Sequence, residues 1–126
     1  MKTAKILCII GSILLLVMAV FHGSGYTFVT EGIWESNAED FLKQIVPVLF
    51  VHVSIHLVGL AAFGILALFL KQAAGKVLPL LTVLVVADAA LAFYLGAVPP
   101  GVMLLAVSFC FAVPGYLFSG RGEVAT

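Results

Sequence analysis

The chain has 126 residues, six basic and six acidic side chains, 63% hydrophobic residues and only 10% charged ones. Its mean hydropathy is +1.27, whereas an ordinary soluble domain is about 45–50% apolar and about 25% charged. A soluble fold this small has too much surface to hide so many apolar side chains, so lipid is the expected solvent and the bilayer the first partner. There is no basic stripe and no nucleic-acid module, which excludes nucleic acid as a partner; a membrane-protein partner or a second copy of the chain fits the composition.

Four apolar runs follow one another, with spans expected at about 4–22, 45–70, 77–95 and 101–118. Each is long enough for a hydrocarbon core about 30 Å thick. The first run follows Lys2 and Lys5, and Gly23-Ser24-Gly25 ends it. That arrangement also suits a cleaved signal peptide. The closely following spans and the loop charges favour an uncleaved first helix. Tyr26 to Gln44 is the only long polar stretch. In it Phe28, Ile33, Trp34, Phe41 and Leu42 interleave with Glu31, Glu35, Glu39 and Asp40. This reads as a short amphipathic helix or ordered loop lying on the outer surface over the mouth of the bundle. Tyr26 and Trp34 are its interface anchors and the acids its solvated face.

The second span carries Pro47 in its expected first turn, where a missing N–H costs little. Lys71, Gly75 and Lys76 mark an inner turn, and Pro79 begins the third span. Gly96 to Gly101, with Pro99 and Pro100, forms an outer turn. Pro114 lies inside the fourth span and frees the carbonyl of Cys110. Cys8 and Cys110 lack a Cys-x-x-Cys spacing and read as small apolar packing residues.

Orientation follows from the charges. Lys2, Lys5, Lys71, Lys76 and Arg121 fall on one side, and Lys43 is the only basic residue in the first loop. Basic residues collect on the cytoplasmic side, so both termini are expected there. The fold class is an all-α four-transmembrane-helix bundle forming a single domain in a cytoplasmic membrane.

Four ionisable side chains lie in or at the edge of the apolar runs: His22, His52, His56 and Asp88. Such residues usually face a bundle interior or a cavity. His52 and His56 stand at i and i+4 and share a helix face, which Gly59 continues at i+7. A small residue there suggests close helix approach. Asp88 lies among Ala87, Ala89, Ala90 and Ala92, on a matching surface. At about 1.5 Å per residue, His56 and Asp88 reach the same depth, about 16 Å into their spans. The four residues are thus expected to line one outward-opening pocket, with His56 and Asp88 in contact.

This set allows several chemistries. His at i, i+4 can bind a transition metal with Asp88 or His22 completing the shell. His22 and His52 can ligate a haem across a bundle. A His–Asp pair can carry protons or bind a lipophilic ligand such as a quinone or sterol. Against these stands a buried hydrogen bond that only fixes helix register. His-x-x-x-His here lacks the intervening Glu of a zinc-protease helix. The structural role is favoured.

Phe21-His22-Gly23 at the end of the first span, the outer loop and Val51-His52-Val53-Ser54-Ile55-His56 in the second span resemble the small bacterial four-span proteins of the DoxX-like group. The resemblance covers the layout of the whole chain and implies a bacterial inner-membrane protein, without implying a reaction. Small multidrug-resistance exporters are similar in size but carry a membrane-embedded glutamate in the first span, which this chain lacks. A non-enzymatic or accessory membrane subunit is the expected function, with a redox, proton-handling or ligand-binding protein as the alternative.

Overall fold

The computed structural model describes residues 2–70 and 73–119. Lys71, Arg121 and the tail beyond Ser119, which contribute to the charge argument, lie outside the described residues. Five helices follow in order: α1 Lys2–Ser24, α2 Tyr26–Glu35, α3 Asp40–Ala67, α4 Ala74–Tyr94 and α5 Val98–Ser119. No strand occurs among the described residues. Four helical stretches are long and apolar enough to cross a membrane: Lys2–Glu35, in which α2 prolongs α1, then α3, α4 and α5.

Helix ends differ from the expected spans in ways the local chemistry explains. The second spanning helix starts at Asp40 rather than Ile45, with Glu39 in extended conformation as its N-cap. Asp40 in the first turn complements the helix dipole. Pro47 therefore sits inside α3 rather than in its first turn, and the carbonyl of Lys43 loses its α-helical donor. Gly25 separates α1 from α2: its N–H bonds the carbonyl of His22 at 3.1 Å, and the ladder resumes when Val29 N–H bonds Gly25 at 3.0 Å. The outer segment is thus helical, as the alternation suggests, but no residue of α2 is buried. It lies against α3 rather than over the mouth of the bundle. Tyr26 and Trp34 are both exposed, as are Glu31, Glu35, Glu39 and Asp40.

The four long helices pack as three close edges and one loose one. The α4–α5, α1–α3 and α1–α5 edges are close, whereas α3 and α4 approach each other sparsely although they are consecutive in the chain. The inward stripes recur every three or four residues: Cys8, Ser12, Leu15 and Ala19 on α1, and Leu104, Val107, Phe111 and Gly115 on α5. At the crossing of α1, α3 and α5 the ring of Phe111 fills the space left by two glycines. A Cβ on Gly64 would stand 2.8 Å from that ring, and one on Gly11 3.1 Å from it. Small residues at these positions let backbones approach, which is how helices associate in lipid.

The opposite faces are apolar too. Phe21, Phe28, Phe69, Tyr94 and Tyr116 are each more than 70% exposed. A soluble monomer rarely shows a contiguous apolar patch above a few hundred Å². This surface, continuous around the bundle, suits hydrocarbon.

Candidate functional site

α3 is the helix on which the histidines depend. Leu57, Leu60, Ala61, Gly64 and Ala67 are its buried residues below the midpoint. His52 and His56 stand well round the helix from that stripe, since each residue turns about 100°. The consequence differs for the two. His56 lies at the edge of the buried face and reaches across to α4, where its Nε2 donates to Asp88 Oδ2 at 3.0 Å. The two side chains remain 39% and 24% exposed. His52 is exposed and makes no hydrogen bond among the described residues. Nothing from another helix lies within 4 Å of where a Cβ on Gly59 would stand. The His52–His56–Gly59 stripe is therefore not a close-packing surface. It faces outward, and only His56 leans far enough to meet a neighbour.

On α4 the alanines around Asp88 divide in the same way. Ala89 is buried, but Ala87 and Ala90 are exposed. Asp88 lies six residues before the end of α4, about 9 Å along the helix, and sixteen residues after the start of α3 lies His56. Measured from the ends on the same side, His56 lies about 24 Å along α3 and Asp88 about 9 Å along α4, so the helix ends alone do not set the two level; the hydrogen bond shows that they meet. It bridges the loose edge of the bundle, so the carboxylate has an imidazole on one side and open flank on the other.

His22 belongs to a separate constellation. Its ring stacks on Phe50 with centroids 4.0 Å apart and planes 22° from parallel. Its Nδ1 lies 3.1 Å from Ser54 Oγ. Two glycines make that approach possible: a Cβ on Gly23 would lie 3.3 Å from Ser54 Oγ, and one on Gly25 3.2 Å from the Phe50 ring. Neither Phe50 nor Ser54 stood out in the sequence. The available signal was the Gly23 and Gly25 flanking His22, which marks a close crossing next to a polar side chain.

His22, His52, His56 and Asp88 therefore do not form one pocket. Among the described residues no three His, Cys, Asp or Glu side chains are grouped so as to hold a metal ion. The polar groups divide into an α1–α3 pair, an α3–α4 pair and a lone imidazole. His52 lies in a groove of about 300 Å³ between α2 and α3, lined by Tyr26, Pro47, Val48, Val51 and Ile55 as well. Cys8 and Cys110 are buried free thiols at the α1–α5 edge. Comparison with protein families, with characterised proteins and with solved structures finds no match to this chain.

Chemically, the His56–Asp88 pair is a carboxylate held by one strong donor, with unused acceptor capacity turned toward the flank. Such a pair can accept a further hydrogen bond from a neighbouring chain or molecule. A metal shell or a haem sandwich would require convergence of side chains that here point to different edges.

Proposed function

We propose that the protein is a non-enzymatic subunit of a bacterial cytoplasmic membrane, with both termini on the cytoplasmic side, that associates with another membrane chain along its α3–α4 edge. The carrying observation is the half-exposed His56–Asp88 pair on the one loose edge of the bundle. In hydrocarbon an ionisable pair with open acceptor capacity is costly and is normally turned inward or covered. A helix laid along this edge would cover the pair, donate to the free carboxylate oxygen and meet small residues at the partly buried Gly59 and the exposed Ala87. The orientation rests on Lys2, Lys5 and Lys76 lying at one end of the helices and the acidic segment at the other.

A photo-crosslinking side chain at Ala87, beside Asp88, tests the association in native membranes. The expected product is a discrete protein adduct that disappears with Asp88→Leu. The same label at Phe109, an exposed position on α5, should capture lipid alone. Lipid adducts alone from both positions would overturn the proposal. The orientation has its own check: a reporter fused after Thr126 should report the cytoplasm, and a periplasmic signal would reverse it.

A further inference from the structure

The His56–Asp88 pair also indicates which chain covers the α3–α4 edge, an inference that rests on the association proposed above. His56 Nδ1 and Asp88 Oδ1 have no partner among the described residues, and neither atom is enclosed. Net charge is what hydrocarbon penalises, so the pair is expected in its net-neutral form. That form presents one donor and one acceptor to the flank. With the shared proton on the imidazole, Nδ1–H donates and Oδ1 accepts. With that proton on Oδ2, the ring still keeps Nδ1–H and Oδ1 still accepts. A surface offering one of each, side by side, is complementary to itself.

Symmetry sets how two copies meet. All copies insert the same way, so a closed pair is related by a two-fold axis along the membrane normal. Such an axis preserves depth and reverses left and right. The two groups bond each other at 3.0 Å, so they stand on neighbouring helices within one hydrogen bond of the same depth. Across the axis the order reverses: imidazole faces carboxylate, and carboxylate faces imidazole. Two bonds are exchanged at once, and charge strengthens both. The flank beside the pair permits the approach. Gly59 has open space beside it and Ala87 is exposed, and small residues at such positions let helices come close in lipid. An unrelated helix would need both a donor and an acceptor placed at this depth. A second copy carries both there already.

We propose that a second copy of this chain covers the α3–α4 edge, forming a two-fold dimer in which His56 Nδ1 of each copy donates to Asp88 Oδ1 of the other.

Full-length chains labelled after Thr126 with a donor or an acceptor dye, in phosphatidylcholine vesicles, report association by energy transfer. Transfer is expected between wild-type copies and should fall as unlabelled wild type is added. Asp88→Leu should weaken self-association at least fivefold. The deciding variant is the swap His56→Asp with Asp88→His, which keeps the internal pair. It should associate with itself, and at least fivefold less with wild type, because imidazole then faces imidazole and carboxyl faces carboxyl. If the swapped chain does not fold, His56→Leu mixed with Asp88→Leu decides instead. One exchanged bond survives between those two, so they should associate at least threefold better together than Asp88→Leu does with itself. No transfer in wild type, no loss with Asp88→Leu, free mixing of the swap with wild type, or no gain in the mixed pair would each overturn the dimer. The photo-crosslinking label at Ala87 separates the dimer from the broader association. An adduct of two copies supports both. An adduct with a different chain overturns the dimer and leaves the association standing, and lipid adducts alone overturn both.

Discussion

Two edges of α4 behave in opposite ways. Against α5 it is held by close backbone approach. A Cβ on Gly75 would stand 3.0 Å from the backbone nitrogen of Ser119, and one on Gly115 3.1 Å from Pro79. One on Gly101 would stand 2.8 Å from the Phe93 ring. The two helices are joined by a short turn in which Gly96 takes φ +75°, a conformation L side chains rarely adopt. Against α3 the same helix has almost no such approach, and a hydrogen bond between two side chains spans the gap. In lipid there is no hydrophobic drive between helices, so an edge is close only where small residues permit it. A polar pair can bridge a gap that packing leaves open.

The largest expected effect breaks this contrast directly. Gly75→Leu forces a side chain against the backbone of Phe118 and Ser119. Overpacking of this kind typically costs about 1–3 kcal/mol, with the upper part of the range expected because backbone rather than a flexible side chain must yield. Gly59→Leu meets nothing and should stay within about 0.5 kcal/mol of wild type. Reversible unfolding in mixed micelles, followed by circular dichroism, measures both. Similar losses for the two glycines would mean that the edges do not differ.

A second test concerns how the close edge treats Pro79. Pro79 lies inside α4 and cannot donate to the carbonyl of Gly75, four residues earlier. Ser119 Oγ lies 2.9 Å from that carbonyl and 2.9 Å from the carbonyl of Gly115. A hydroxyl on α5 thus replaces the N–H that α4 lacks. Ser119→Ala should cost about 1 kcal/mol, the usual scale of one hydrogen bond. In a Pro79→Ala background the backbone N–H returns, and the cost of Ser119→Ala should fall by at least half. Additive losses in this double-mutant cycle would show that the hydroxyl and the proline act independently.

These residues also show what could be read from the sequence. The four apolar runs follow from length and composition, and their helices are where hydropathy places them to within a few residues. The inward faces were less legible, because in these helices both faces are apolar and hydrophobicity does not separate them. What marks the buried stripe is residue size: Ala4, Cys8, Gly11, Ser12 and Ala19 on α1 are all small and all buried. Applied to α3, that signal favours Ala61 and Gly64 over Gly59, whose surroundings are open. The expected contact of His56 with Asp88 is present, although α3 starts five residues before the expected span and the estimated depths shift with it. Gathering all four ionisable residues into one pocket failed, since depth says nothing about the angle around a helix. His52, one turn from His56, faces the α2–α3 groove instead.

The smallest effect separates the bond at the loose edge from the packing at the close one. Polar contacts between membrane helices average about 0.6 kcal/mol, so Asp88→Asn, which still accepts a hydrogen bond from His56 Nε2, should leave unfolding nearly unchanged. Asp88→Leu removes the acceptor, and the loss should show in geometry before it shows in stability. Nitroxide labels at Phe63 and Leu84, both exposed, report across α3 and α4; labels at Leu84 and Phe109 report across α4 and α5. Pulsed electron-spin distances should broaden for the first pair in Asp88→Leu and remain narrow for the second. In Asp88→Asn both should stay as in wild type. Narrow distances across α3 and α4 without Asp88 would mean that apolar contacts hold that edge. The His56–Asp88 bond would then be an addition to the edge rather than the link that spans it.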